Sequence, residues 1–295
     1  MTGFLLVALT PWILCIALWP ARPILSRSLT PAATVFVVPV LALVTAFAVA
    51  SSAAAVGAVL VSQPVPWLRV LGAFVLAVLV WRLCRVVLHG ARVFSSARAA
   101  AAFTRMRSSV SDVVVIDDDV PDAFASPSAG GVVMVTSALI EALDEQQVAA
   151  VVAHERAHLR FRHHFWIQSA EVSAEMNPLL RSLAVIVRRA AERQADEFAA
   201  LGDRQVVLEA IARVALLHSA HRRMSATDLP GGSGGDIVER VRALAGPVPP
   251  PQKRSVVLVI ALFVVALSVV SVGLFDVVQD VVSPEWGEPP TSVFR

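Results

Sequence analysis

Charge is scarce in this sequence. Of its 295 residues 16% are charged against 56% hydrophobic, and the mean hydropathy is +0.69. A soluble globular chain carries roughly 25% charged residues, so the composition argues against a wholly soluble protein. Cysteine is scarcer still. Cys15 lies in the first apolar run and Cys84 near the end of the third, a spacing that offers neither a disulfide framework nor a cysteine metal clip. There is no stripe of one sign either. The net charge is +2 and the arginines gather beside the apolar runs, so no direct nucleic-acid binding is expected. The sequence also lacks internal repeats. Metal chemistry, if present, must rest on histidine and carboxylate.

What is present is long uncharged sequence at both ends. A membrane-crossing helix needs about 20 apolar residues, and four stretches qualify, at about 4–20, 33–60, 66–88 and 255–275. The first lacks the basic start and small-residue cleavage site of a secretory signal, and is expected to be retained. Arg22 and Arg27 fall between spans one and two, Arg82, Arg85, Arg92, Arg98, Arg105 and Arg107 follow span three, and Lys253 and Arg254 precede span four. The loop from Ser62 to Trp67 is uncharged, and the tail carries Asp276, Asp280, Glu285 and Glu288. The bias of basic residues toward the cytoplasmic side then predicts a multi-pass protein of the cell membrane. Both termini lie outside, residues 89–254 form a cytoplasmic domain, and 276–295 make a short extracytoplasmic tail.

Within 89–254 the pattern is mainly helical with a little strand. Asp112 to Ile116 and Val132 to Val135 read as strands, with turns at Asp117–Pro121 and Ser128–Gly131. Helices are expected over Gln146 to about Ile167, Pro178 to Leu201, Arg204 to about Arg222, and Ile237 to Leu244, with Asp228 to Gly235 as a linker. The fold class is an α-helical membrane protein with four transmembrane helices and a mainly helical α+β domain inside the cell.

The chemistry concentrates in Val151-Val152-Ala153-His154-Glu155-Arg156-Ala157-His158. Positions i and i+4 share a helix face, so His154 and His158 can present imidazole nitrogens to one metal ion. Glu155 stands beside the first ligand, placed to take a proton from the attacking water and pass it to a leaving amine. Zinc, one ion per chain, suits two imidazoles. The alternative is a surface helix with incidental histidines, which the apolar run before His154 disfavours.

A catalytic zinc needs a third protein ligand and an open position. His164 occupies the place where an extended H-E-x-x-H-x-x-G-x-x-H motif has its third histidine, but Phe161 stands where that motif needs a chain-turning glycine. His163 and His164 then read as the polar end of the helix. Glu192 is favoured instead, and Asp196, one turn on, is placed to hold a ligand histidine's free N–H. Against this stands a solvated charged face paired with Arg188, Arg189 and Arg193. His218, His221 and Arg240 are candidate transition-state donors, and none is singled out.

The His154-Glu155-Arg156-Ala157-His158 motif, the Asn177-Pro178-Leu179-Leu180 segment and Glu192-Arg193-Gln194-Ala195-Asp196 in this order resemble the BlaR/MecR family of membrane zinc peptidases. So do three spans before the domain and one after. The resemblance, over about residues 1–275, implies a zincin-like peptidase domain and supports Glu192 as third ligand. It likens Gly131 to Val135 to an edge strand that pairs with extended substrate, and implies a cytoplasmic transcriptional repressor as substrate. About twenty residues follow Phe275, without an S-x-x-K motif, so covalent sensing of β-lactams is not expected. The HtpX and CAAX-prenyl peptidases share the chemistry, but HtpX has spans between its two motifs. Here Glu171, Glu175, Asn177 and Arg181 occupy that interval, which favours the first family. The expected function is a membrane zinc metalloendopeptidase in regulated proteolysis, with the lipid bilayer and a protein substrate as partners. The alternatives are a quality-control protease of HtpX type and a non-catalytic zinc-binding scaffold.

Overall fold

The computed structural model describes residues 2–106, 112–127, 131–224, 233–248, 250 and 253–282. The chain divides into two compact units, one of Met1–Arg92, Ile167–Val187 and Gln252–Arg295, the other of Val93–Trp166 and Arg188–Pro251. Residues 167–187, which lie inside the domain expected over 89–254, group with the apolar helices.

The first unit is built on α1 (Thr2–Ser28), α2 (Pro31–Val61), α3 (Pro66–Met106, of which residues up to Arg92 belong here) and α10 (Arg254–Val282). Four stretches, Val7–Ser28, Pro31–Val61, Pro66–Ala102 and Val256–Asp276, are helical, long and apolar enough to cross a bilayer. Thr30 starts α2 by accepting the amide of Ala33, and Pro31 supplies the fixed φ of a first helical residue. With no charge to solvate, α2 takes the centre. Val38, Leu41, Ala42, Ala46 and Val49 join Cys15, Leu29 and Ile260 in one apolar core. Ser52 crosses from α2 to α1, donating to the carbonyl of Ala8 at 2.5 Å and accepting from Trp12 Nε1 at 3.1 Å. Much of α3, including Trp67, Val70, Phe74 and Val80, stays outward as a lipid-facing surface would.

Residues 167–187 enter this unit as the greater part of α6 (His163–Met176), a 3-10 turn (Pro178–Leu180) and the first part of α7 (Arg181–Ala199). Ala170, Ala174, Leu180, Leu183, Ala184 and Val187 belong to the same core as α2. The polar residues that argued against membrane packing have partners. Arg85 donates to Glu175 at 2.9 Å through Nε, and Asn177, 5% exposed, caps Leu179 and meets Cys15 Sγ at 3.2 Å. A count of charges cannot see such pairing, but among the described residues none of the four stretches able to cross a bilayer lies between 161 and 189, in line with the expectation that no span fits there.

The second unit contains β1 (Val113–Ile116), β2 (Ala123–Ser126), β3 (Val132–Thr136), α4 (Ser137–Ala142), α5 (Glu145–Arg160), α8 (Arg204–Met224) and α9 (Ser233–Ala245), with the start of α6 and the latter part of α7. The sheet order is β1-β3-β2, β1 parallel and β2 antiparallel to β3. Strand β3 is buried along its length because it has a neighbour on each side. It is the central strand, so the expectation that Gly131 to Val135 forms an edge is corrected. The free edge beside α5 belongs to β2, whose alanines carry little strand signal. A capping box of Asp144 and Gln147 opens α5. Val152 then packs with Val133, Val135 and Leu139, which fixes the face that α5 turns away from the core.

The helix expected from Gln146 to about Ile167 is two helices. Phe161 caps α5, and Arg162 adopts φ +53 before α6 begins. A left-handed arginine costs about 1–2 kcal/mol, and the break is held by the hydrogen bonds of His163, the first residue of α6. At the far end of the unit, Arg204 pairs with Glu197 at 2.8 Å and donates to the carbonyl of Leu244 at 2.6 Å, fastening the end of α9.

One test lies in the first unit. A Cβ on Gly72 would stand 2.7 Å from the carbonyl oxygen of Gly57 and 2.8 Å from the amide of Val61, backbone that cannot swing aside. Gly72→Val should therefore destabilise the α2–α3 contact by about 1–3 kcal/mol, while Gly90→Ala, which meets nothing within 4 Å, should not. Thermal unfolding in detergent with a cysteine-reactive or fluorescent probe reads the difference.

Candidate metal centre

Helix α5 supplies three residues. His154 and His158, four apart, stack on one side of it, their rings 5.0 Å between centroids, and their Nε2 atoms approach to 3.2 Å. Helix α7 brings the third donor: Glu192 Oε2 lies 3.6 Å from His154 Nε2, and Oε1 lies 3.5 Å from His158 Nε2. Donors around a tetrahedral zinc with bonds near 2.0–2.1 Å stand roughly 3.3 Å apart. Two imidazoles and a carboxylate at these separations fit that ion, and fit it better than a hard oxygen-seeking cation. Among the described residues, this is the one group of three or more His, Cys, Asp or Glu side chains arranged to hold a metal.

A metal on Nε2 requires the ring proton on Nδ1, and each Nδ1 has a polar atom within 3 Å. His154 Nδ1 lies 2.9 Å from Asp196 Oδ1. His158 Nδ1 lies 2.9 Å from Nδ1 of His163, whose Nε2 is 3.2 Å from Gln194 Oε1. His158 can therefore donate to His163, and His163 in turn to Gln194. His163 is wholly buried. The polar helix end expected at 163–164 is thus half right in form: His164 is exposed, and His163 turns inward. Nothing in the spacing foretold it. On an unbroken helix residues five apart lie about 140° apart, and only the turn through Arg162 brings His163 back onto His158.

Asp196 is 2% exposed and is gripped from its other side by Arg240 of α9, which donates through Nε at 2.8 Å and Nη2 at 2.6 Å. The same guanidinium reaches Glu192 Oε2 at 3.2 Å. Arg240, a candidate transition-state donor by sequence, is engaged by the two carboxylates. His218 lines the same cavity as Glu155, with Nε2 2.9 Å from the carbonyl of Pro121. The side chain of His221 lies outside the described residues. The chain has no tyrosine, so no phenol can take the donor's part.

These contacts set the protonation states. Burial works against charge on His154, but Asp196 and then Glu192 outweigh it and lift the imidazole to about 9. Burial alone would raise Glu192, yet His154, His158 and Arg240 hold it down to about 2. His158 is pushed down to about 4, chiefly by burial. Glu155 is raised to about 7, again by burial, against the neighbouring His154 charge and a hydrogen bond from the amide of Ala125 in β2. A carboxyl poised near neutrality can both accept and return a proton.

Glu155, His154, Glu192 and Arg240 share the wall of one cavity of about 190 Å³. Two of the three candidate donors, His154 and Glu192, and the separate carboxylate of Glu155 therefore open onto the same space.

Residues 90–173 match the sequence model of Peptidase family M48, a stretch that includes His154 to His158 and stops short of Glu192. The chain is also similar to the Protease HtpX homolog of Acidiphilium cryptum (strain JF-5), with 32% identity over 113 residues, 38% of this chain. It spans about 39% of that relative's length. No solved structure matches. With the four apolar helices, these matches support a membrane metalloprotease, and they lend no support to the narrower BlaR/MecR resemblance.

The His163 contact can be tested by metal titration against a chromophoric chelator. His163→Ala should weaken zinc binding about 10–100-fold, and His163→Asn, which keeps an acceptor near Nδ1, should recover part of the loss.

Proposed function

We propose that this chain is an integral membrane zinc metalloendopeptidase that cleaves protein substrates at the cytoplasmic face of the cell membrane. The observation that carries the reading is that His154, His158 and Glu192 converge, and that His154 and Glu192 share a cavity with Glu155. A structural zinc is normally closed by four protein ligands. Three donors, two of them facing an open cavity, favour catalysis over a zinc-holding scaffold.

His154, His158 and Glu192 would hold the ion, which when bound polarises the scissile carbonyl and makes water a nucleophile near neutral pH. Glu155 takes the proton from that water and delivers it to the departing amine. Asp196 and His163 keep the two ligand imidazoles in the tautomer that leaves Nε2 free, and Arg240 keeps Asp196 and Glu192 charged. An extended peptide adds to the free edge of β2, whose Ala125 amide already marks the position of Glu155. The cytoplasmic placement rests on the arginines that flank the spans. Both termini then lie outside. No feature of the cavity singles out a transcriptional repressor, and the HtpX-type alternative, a protease acting on membrane-associated substrates, fits the similarity at least as well.

The direct test is a purified full-length protein incubated with casein. Glu155→Gln should retain zinc and lose about 10²–10⁴-fold in cleavage rate, and chelation should silence the wild type until zinc is restored. A metal-loaded Glu155→Gln protein that still cleaves at the wild-type rate overturns the mechanism.

A further inference from the structure

The first unit holds a group of polar side chains that the proposed chemistry does not use. On α3, Trp81, Arg85, Leu88, His89 and Arg92 follow one another at helical spacing and share one face. With Glu175 of α6 they line a cavity of about 330 Å³, and all six residues belong to the first unit. Two contacts hold this face to α6. Arg85 gives Nε and Nη2 to Glu175 Oε2, at 2.9 and 2.8 Å, and His89 Nε2 lies 2.9 Å from Gln168 Oε1. The guanidinium of Arg82 lies 4.4 Å from the ring of Trp81, and that of Arg85 lies 5.7 Å from it.

Position along the helix decides what can reach this cavity. At about 1.5 Å per residue, Arg85 and His89 stand roughly 29 and 35 Å along α3 from its first residue, Pro66. The hydrocarbon of a bilayer is roughly 30 Å thick, so a span beginning at Pro66 carries both residues into the headgroup layer. Trp81 is 51% exposed and lies one turn earlier, at the depth where tryptophan rings settle. Toward the membrane centre the same stripe continues as Leu71, Phe74 and Val78, all exposed. The cavity lining sets two guanidiniums against one carboxylate. Its volume lies at the small end of ligand sites, roughly 300–1,000 Å³. That is room for a headgroup and not for a whole lipid.

We propose that this cavity binds the phosphate of an anionic phospholipid. Arg85, steadied by Glu175 through two of its nitrogens, offers Nη1, and Arg92 offers its planar fork. The acyl chains then lie outward along Trp81, Val78, Phe74 and Leu71, a track that a free phosphate would leave unused. A zwitterionic lipid carries the same phosphate beside a cation that two guanidiniums repel, so the cavity selects net negative charge. Because α3 and α6 each supply part of the lining, an occupant binds the folded unit and stabilises it. The proposal is independent of the peptidase reading.

The test is native mass spectrometry and thermal unfolding of the full chain in a neutral detergent, titrated with phosphatidylglycerol, phosphatidylcholine or inorganic phosphate. Phosphatidylglycerol should bind at least about tenfold more tightly than phosphatidylcholine and should raise Tm, whereas millimolar inorganic phosphate should leave Tm unchanged. Arg92, which is exposed, can be replaced without disturbing the core. Arg92→Gln should weaken phosphatidylglycerol binding about fivefold, and Arg27→Gln, outside the cavity, should not. Equal binding of the two lipids, or an equal loss in both variants, overturns the proposal. A rise in Tm with inorganic phosphate as large as with phosphatidylglycerol also overturns it, and assigns the cavity to a free phosphate. The comparison of the two lipids on the wild type decides the matter even if a variant fails to fold.

Discussion

The ion pair between Asp196 and Arg240 carries more of this structure than its two residues suggest. Asp196 is a carboxylate with almost no access to water, and burial alone would drive it toward the neutral acid. Arg240 and His154 reverse that and hold it below the usual carboxylate range. A charged Asp196 favours a proton on His154 Nδ1, the arrangement in which Nε2 would face a bound ion. Neutral Asp196 would not. Arg240 also reaches Glu192, so a single guanidinium balances two carboxylates that stand one helical turn apart and would otherwise repel each other. An isolated charge costs several kcal/mol to bury, and α9 docks where it can cancel that cost.

The imidazoles of the two candidate ligands, His154 and His158, are steadied by different chemistry. His154 leans on a carboxylate, and His158 leans on a neutral imidazole that is itself tied to an amide oxygen. Had both partners been carboxylates, the site would hold three buried acids within a few ångströms and one arginine to answer them. A histidine in the second place keeps the charge count in hand. The same economy runs through the first unit, where a half-exposed Glu175 meets Arg85 and Asn177 meets Cys15 in the apolar core.

How much of this could be read from sequence varies by feature. The four apolar helices were legible because composition alone sets them. The convergence of His154, His158 and Glu192 was legible because periodicity places i and i+4 on one face, and because an acidic residue flanked by alanines invites close packing. Three things were not. The strand order was hidden, because β2 is four residues rich in alanine and pairing between strands is a long-range choice. The placement of residues 167–187 was hidden, because Glu175 reads as a soluble charge until Arg85, ninety positions away, is set beside it. His163 was hidden by the assumption of a straight helix, since no glycine announces the turn at Arg162.

The arginine that completes the site comes late in the chain. Asp196 and Arg240 are separated by 44 positions, and all of α8 lies between them. During synthesis, a nascent polypeptide that has already extruded His154, Glu155, His158 and Glu192 still has Asp196 uncompensated until residue 240 leaves the ribosome. The ligand set is therefore unsupported for as long as the growing chain is itself an extended, apolar-rich polypeptide. Ordering the parts this way postpones the assembly of the site until α9 has been made.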